Sequence, residues 1–167
     1  DLADNVNAKL ESRRSARTDV VVIPNFVDNN WLTPVDGSPY RDEFGLGDGP
    51  IVMYAGNLGY SQSLDLMIDL AEQRPEITVV INGDGAMRDI VTEAALRLSN
   101  LHHIGYQPAQ RLPEVLSAAD IHVVPLRTGL GSVSVPSKTY SILAVGKPVI
   151  AAIDEGSAVA RLLADAN

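Results

Sequence analysis

The sequence predicts an α/β domain with a doubly wound parallel sheet that is covered by helices on both faces. From residue 51 to residue 164, short apolar runs alternate with stretches whose apolar residues recur at helical spacing. The apolar runs are continuous, which is typical of strands that are buried on both faces. A chain of 167 residues is long enough for one such domain and too short for two large ones.

The elements are predicted in a regular order. Residues 1–18 are polar with a loose helical spacing, and they predict a helix that is only loosely attached to the domain. Residues 28–50 are rich in Asp, Asn, Gly and Pro, and they predict a long connection with a short helix at 40–44. We expect about six strands, at residues 19–23 on one edge and at 51–55, 77–81, 101–105, 121–125 and 149–152. The helices between them are predicted at residues 64–73, 86–98, 111–118, after residue 134, and at 157–164.

Ligands bind at the carboxyl ends of the strands in sheets of this kind, which selects the loops at residues 56–59, 82–85, 106–109 and 126–138. The last of these loops leads into a helix that Ser134 is predicted to cap and Gly146 to end. Its buried face is predicted to consist of Tyr140, Leu143 and Ala144. Its first turn is predicted to contain Pro136, Ser137 and Lys138, where free N–H groups and an ammonium suit a phosphate. The same pattern also fits a packing helix with Lys138 as a solvated surface cation.

Two glycine-containing turns follow strands. Gly56 and Gly59 form a G-x-x-G turn that lacks the middle glycine of a dinucleotide fingerprint. An NAD-type site is therefore weakened, although Asp84 lies at about the distance of the ribose-binding acid. The second turn contains Gly83 and Asp84 before a predicted helix. Both turns also fit plain strand-to-helix connections, with Asp84 or Asn82 as the helix cap.

Composition and missing motifs exclude several classes of function. The net charge of −8 argues against a nucleic-acid partner. The chain has no cysteine, no H-E-x-x-H and no Asp-x-Asp pair, so we expect neither a metal nor another cofactor. No apolar run approaches the length of a membrane span, and we expect a cytoplasmic protein. In so acidic a chain any phosphate must be held locally, and the nearby cations are Arg127, Lys138 and Lys147.

Five segments, taken together and in order, resemble one family over nearly the whole chain. They are residues 21–28, 54–59, 81–85, 104–107 with 118–125, and 135–138 with 143–150. They look like the donor-binding half of a retaining, GT-B-fold glycosyltransferase of group 1 (glycosyltransferase family 4). The P-S-K and G-N-L-G forms look most like the branch that builds bacterial surface polysaccharides.

The resemblance implies two Rossmann-like domains, of which this chain contains the second. Residues 1–18 would be the interdomain linker helix, and residues 19–167 the domain that binds a nucleotide-sugar as substrate. The missing N-terminal domain would bind the acceptor, and any peripheral contact with a membrane would occur only through it. The resemblance and the loop positions together assign donor binding to Gly56, Asn57, Gly59, Gly83, Asp84, Tyr106, Arg127, Ser137, Lys138 and Ser141.

The chain departs from the family pattern at four positions. Asn57 and Gln62 replace an arginine and a lysine that many members hold against the diphosphate, and Val133 and Ser141 replace two glutamates. Phosphate binding therefore shifts toward Lys138, and the identity of the sugar stays open. Two alternatives remain, a nucleotide-sugar-binding module without catalysis and a GT-B-fold nucleotide-sugar epimerase. Without the acceptor half we expect no sugar transfer, and no catalytic residue can be named.

Overall fold

The computed structural model describes residues 6–10, 21, 23, 25–131 and 134–165. Its centre is a parallel sheet of five strands in the order β3-β2-β1-β4-β5. The strands are β1 (Ile51–Ala55), β2 (Thr78–Asn82), β3 (Leu101–Ile104), β4 (Ile121–Pro125) and β5 (Val149–Ala152). The order reverses between β1 and β4, so the predicted doubly wound α/β fold is confirmed.

Helices connect the strands. They are α1 (Ser38–Glu43), α2 (Asp65–Gln73), α3 (Arg88–Arg97), α4 (Leu112–Ser117) after a 3₁₀ turn at Ala109–Arg111, α5 (Lys138–Ala144) and α6 (Ala158–Asp165). Every predicted helix from residue 40 to residue 165 is present within a few residues of its predicted bounds. Residues 6–10 are also helical, and the rest of the predicted helix at 1–18 lies outside the described residues.

The middle strand, β1, packs against a core on each side of the sheet. Val52 and Tyr54 belong to the core that also contains α2 and α3, whereas Ile51 and Met53 face the core beside α1 and α4. Because neither face reaches water, every position on β1 favours an apolar residue. This burial explains why the strand has a continuous apolar run in the sequence.

The prediction of a sixth strand at residues 19–23 was wrong where it can be compared. Val21 and Ile23 lie outside any strand and are 78% and 80% exposed, and the other three positions lie outside the described residues. Among the described strands, β3 and β5 form the two edges of the sheet. A run of β-branched residues favours a strand only where a neighbouring strand can pair with it.

The start of α5 also differs from the prediction. The helix begins at Lys138 with Ser137 as its N-cap residue and without a side-chain cap bond, so Ser134 does not cap it. The amide of Thr139 donates to the carbonyl of Pro136 at 3.2 Å, and that of Tyr140 to Ser137 at 3.1 Å. This tight first turn leaves fewer free N–H groups than expected. The buried residues are Thr139, Ile142 and Val145, spaced three apart, rather than Tyr140, Leu143 and Ala144.

The end of α5 agrees with the prediction, whereas the start of α3 does not. The amide of Gly146 donates to Leu143 at 3.0 Å and that of Lys147 to Ile142 at 3.3 Å, which confirms the predicted stop at Gly146. The N-cap residue of α3 is Met87, without a side-chain cap bond, so neither predicted capping residue caps this helix. Asp84 instead accepts a hydrogen bond from the amide of Gly85 at 2.7 Å.

Candidate functional site

A cleft of about 670 Å³ opens at the carboxyl ends of the strands, beside the reversal of strand order between β1 and β4. One wall contains the loop that follows β1, and the opposite wall contains the segment that enters α5. The loop that follows β3, including Tyr106, contributes a third side. The cleft therefore lies where open α/β sheets bind ligands.

The first wall is a pair of loops joined by backbone hydrogen bonds. The amide of Gly56 donates to Asn82 at 2.8 Å, that of Leu58 to Asp84 at 2.8 Å, and that of Met87 back to Leu58 at 2.8 Å. These bonds join the turn after β1 to the turn after β2. The two turns, residues 56–59 and 83–87, form one unit that we call the double turn.

Two glycines of the double turn sit where a residue with a side chain would be strained. Gly56 and Gly83 both have φ +150°, a conformation that residues with a side chain rarely adopt. A Cβ on Gly83 would overlap the carbonyl oxygen of Gly56, and a Cβ on Gly56 would overlap the ammonium of Lys138. Gly83 therefore lets the two turns meet, and Gly56 leaves room for a cation on the cleft side.

Lys138 enters the cleft from the first residue of α5. Its Nζ donates a hydrogen bond to Tyr54 Oη at 2.7 Å and lies 4.2 Å from the centre of the Tyr54 ring. The other two N–H groups of the ammonium have no hydrogen-bond partner among the described residues. Lys138 is therefore not the solvated surface cation that the sequence also allowed.

The ammonium of Lys138 is largely shielded from solvent and has no counter-ion among the described residues. Burial lowers the pKa of Lys138 from 10.5 to about 8, and no carboxylate offsets this effect. Among the described residues that line the cleft, Lys138 carries the only charge. A partly desolvated cation with two free donors in an otherwise uncharged cleft is suited to an anionic ligand.

The structure brings six of the ten predicted site residues together at the cleft. Gly56, Asn57 and Tyr106 line it from the strand loops, and Ser137, Lys138 and Ser141 line it from the start of α5. The other four are outside its lining: Gly59, Gly83, Asp84 and Arg127. Gly59, Gly83 and Asp84 belong to the double turn without lining the cleft, and Arg127 is exposed, as its neighbours Thr128 and Gly129 are. Lys147 does not line the cleft either.

Sequence reasoning missed several residues of the cleft. Tyr54, which contacts Lys138 from beneath the lining, was predicted only as part of a strand, although a phenol in the second-to-last position of such a strand brings a hydroxyl to the ligand edge. Ser134 lines the cleft with Ser137 and Ser141, which places three hydroxyls on the α5 side. Phe26, from the segment that precedes α1, also lines the cleft and is 85% exposed. Nothing in the local sequence indicated the position of Phe26.

The glycine-rich loop between β4 and α5 is held by one carboxylate. Asp154 accepts hydrogen bonds from the amides of Gly129, at 2.9 Å and 3.1 Å, and of Gly131, at 2.9 Å. Hydrogen bonds to a charged group are stronger than those between neutral groups. Since this loop continues into the wall that contains Ser134, Asp154 is positioned to order that wall.

Replacing Asp154 with alanine is therefore expected to loosen this loop. We expect the amides of Gly129 and Gly131 to lose protection against hydrogen exchange, and the free energy of unfolding to fall by about 1–3 kcal/mol. Exchange measured by mass spectrometry on the folded protein checks the first effect. Asp48→Ala, which removes an exposed carboxylate elsewhere, is the control, and equal protection in both variants would contradict the assignment.

Two negative findings bear on the described part of the chain. No group of three or more His, Cys, Asp or Glu side chains is arranged there to hold a metal ion. None of its helices has the length and apolar character needed to cross a bilayer.

Comparisons with known proteins show the family to which the chain belongs. The model of the family "Glycosyl transferases group 1" matches residues 39–161. WbjE of Pseudomonas aeruginosa, which is named a glycosyltransferase, is 27% identical over 165 residues, covering 95% of this chain and 41% of WbjE. WcaI of Escherichia coli (strain K12), named for colanic acid biosynthesis, is 29% identical over 139 residues, covering 78% of this chain and 34% of WcaI.

A solved structure supports the fold. HepE of Anabaena, crystallised with UDP and glucose, superposes with a TM-score of 0.62 at 24% identity, covering 78% of this chain and 37% of HepE. The chain thus spans about two fifths or less of each of these proteins. The family match covers most of the chain and includes the double turn, the entry to α5 and all five strands. The chain belongs to the group 1 family of glycosyl transferases.

Proposed function

We propose that this chain is the donor-binding domain of a retaining glycosyltransferase and that its cleft binds the nucleoside diphosphate part of a nucleotide-sugar. The observation that supports this most directly is the ammonium of Lys138. On a chain with a net charge of −8, the described lining of the cleft contains one cation and no carboxylate. An acidic protein that keeps carboxylates away from a cleft favours an anion there.

The proposed chemistry uses the same group. When a sugar leaves a nucleotide-sugar, negative charge develops on the oxygen of the departing diphosphate. An ammonium that already lies in the cleft stabilises that charge without reorganising. The hydroxyls of Ser137 and Ser141 can donate further hydrogen bonds from the same side of the cleft.

The other parts of the proposal rest on the relatives. The chain spans a minor part of each relative, which supports a second domain that binds the acceptor. The name of WcaI supports a role in bacterial surface polysaccharide synthesis, and the ligand of HepE makes UDP the first nucleotide to try. Retention of configuration follows from the family resemblance. A cytoplasmic location, the linker role of residues 1–18 and independence of metals stay predictions of the sequence.

Calorimetry on the chain itself tests the proposed binding. We expect weak binding of at least one of UDP, GDP or ADP, and much weaker binding of the corresponding nucleoside, because the diphosphate supplies the anion. Hydrogen bonds from the Lys138 ammonium to the diphosphate should contribute about 1.5–3 kcal/mol, so loss of the diphosphate should weaken binding about tenfold or more. Equal affinity for nucleoside and nucleoside diphosphate would contradict a diphosphate site.

Sugar transfer by this chain alone is not expected. Orientation of acceptor against donor supplies much of the rate of such reactions, and the proposed acceptor domain lies outside this chain. Incubation with nucleotide-sugars and candidate saccharide acceptors, followed by product analysis, checks this. Transfer would refute the division into two domains, whereas epimerisation of the donor without an acceptor would favour the epimerase alternative.

A further inference from the structure

Tyr54 connects the two walls of the cleft. It is the second-to-last residue of β1 and is fully buried, while its hydroxyl reaches the end of the strand beside the double turn. Tyr54 Oη lies 2.6 Å from the carbonyl oxygen of Asn57 and 2.7 Å from Lys138 Nζ. One hydroxyl group thus contacts a residue of each wall.

The direction of these two hydrogen bonds is set by chemistry. A carbonyl oxygen only accepts and an ammonium only donates, so the hydroxyl of Tyr54 donates to Asn57 and accepts from Lys138. Burial raises the pKa of Tyr54, which keeps the phenol neutral and its proton in place. The acceptor site of the hydroxyl is therefore always presented to the ammonium.

The space around the ammonium is limited on its other side. Lys138 Nζ occupies the volume that a Cβ on Gly56 would need, and the Tyr54 ring faces it at 4.2 Å. A lysine side chain has many rotamers and is strongly hydrated, so an unrestrained ammonium would extend into water. Only one hydrogen bond from the protein opposes that movement among the described contacts, and it comes from Tyr54.

We propose that Tyr54 is a positioning residue, whose hydroxyl holds the ammonium of Lys138 inside the cleft in readiness for the diphosphate. This inference deepens the proposed function and depends on it for the identity of the ligand. It adds a role for a residue that the family match alone does not assign. Without the hydroxyl, the ammonium should move out to solvent. Binding of the diphosphate would then have to order the lysine side chain again, which costs conformational entropy.

The Tyr54→Phe variant separates this role from simple packing. It keeps the ring and removes the hydroxyl, which accepts a hydrogen bond from Lys138 and donates one to the carbonyl of Asn57. The chain has three lysines, Lys9, Lys138 and Lys147, so ¹³C labelling at the lysine ε-carbon gives a simple NMR titration. Assignment follows from single lysine-to-arginine variants. The phenol of Tyr54 is the titratable group that contacts the ammonium, Tyr106 interacts electrostatically with Tyr54, and no described carboxylate shifts the pKa of Lys138.

In the wild-type protein Lys138 should titrate with a pKa of about 8. In Tyr54→Phe this pKa should rise toward the ordinary value of 10.5, because the ammonium becomes solvated. Affinity for the nucleoside diphosphate at pH 7 should fall about tenfold. Wild-type affinity for the nucleoside diphosphate should also fall at alkaline pH, as the Lys138 ammonium loses its proton. In Tyr54→Phe this fall should occur at higher pH. If the pKa of Lys138 stays near 8 or drops further, the ammonium remains in place without the hydroxyl and the proposal is overturned.

Tyr40→Phe is the matched control. Tyr40 is an equally buried tyrosine whose hydroxyl accepts a hydrogen bond from Asn82 at 2.9 Å and has no contact with Lys138. The Tyr40→Phe variant should lower the melting temperature about as much as Tyr54→Phe does. The pKa of Lys138 should stay near 8 in Tyr40→Phe. Absence of nucleotide binding by the wild-type chain would overturn the proposed function, whereas intact binding with unchanged lysine titration would overturn the role of Tyr54 alone.

Discussion

Replacing Gly83 with alanine should lower the free energy of unfolding by about 3 kcal/mol or more. A Cβ at this position would overlap the carbonyl oxygen of Gly56, which is backbone and cannot rotate away. Overpacking costs about 1–3 kcal/mol, and a strained backbone conformation adds about 1–3 kcal/mol. Chemical denaturation followed by circular dichroism measures the loss as a lower midpoint.

Gly105→Ala provides the control for this prediction. Gly105 follows β3 as Gly83 follows β2, but a Cβ there has nothing within 4 Å. Its substitution should change the free energy of unfolding by less than about 0.5 kcal/mol. Equal midpoints for the two variants would show that the double turn relaxes around an added methyl group, and that the contact between its halves does not constrain the fold.

Replacing Lys138 with methionine should weaken binding of the nucleoside diphosphate about tenfold or more. The variant keeps an unbranched side chain against the Tyr54 ring and removes the only charge among the described lining residues. A hydrogen-bonded charge of this kind contributes about 1.5–3 kcal/mol to binding. Lys147→Met removes a cation outside the cleft lining and should leave the affinity unchanged. Equal affinity in Lys138→Met and wild type would place the phosphate site elsewhere.

The same variant should alter how stability depends on pH. The pKa of Lys138 is about 8 in the folded chain and near 10.5 when unfolded, so between these values the unfolded chain binds more protons. Stability therefore gains a contribution as pH rises from about 8 to 10.5, and that contribution is absent below pH 8. We expect this gain to disappear in Lys138→Met. At pH 7 the variant should be at least as stable as wild type, because it no longer buries an unpaired cation.

The sequence predicted the sheet well because its signals are local. A strand that is buried on both faces, such as β1, needs apolar residues at every position. The bounds of β1, β4 and β5 are as predicted, although Ile150 of the edge strand β5 is 55% exposed. The phase of α5 could not be predicted in the same way. It depends on the tight turn at Pro136, which moves the buried face to Thr139, Ile142 and Val145. Residues 19–23 were assigned to a strand on composition alone, without evidence of a strand to pair with.

The sequence predicted several residues of the site and the kind of ligand they suit, but not which of these residues touch each other. Lys138 and the turn at Gly56 could be selected because loops at the carboxyl ends of parallel strands converge. The contact between Lys138 and Tyr54 joins residues 84 positions apart in the chain. Such a pairing depends on how α5 packs beside β4, which spacing along the sequence does not reveal. Arg127 follows a strand in the same way but is exposed outside the cleft lining, so position after a strand was not sufficient.

The double turn also has a consequence for how the cleft can respond to a ligand. Its two halves share two backbone hydrogen bonds and the close approach at Gly83, so neither half can shift unless the other moves with it. The facing wall is held by side-chain contacts, from Lys138 to Tyr54 and from Asp154 to the loop before α5. Adjustment to ligands of different size should therefore occur on the α5 side, while the double turn keeps its position.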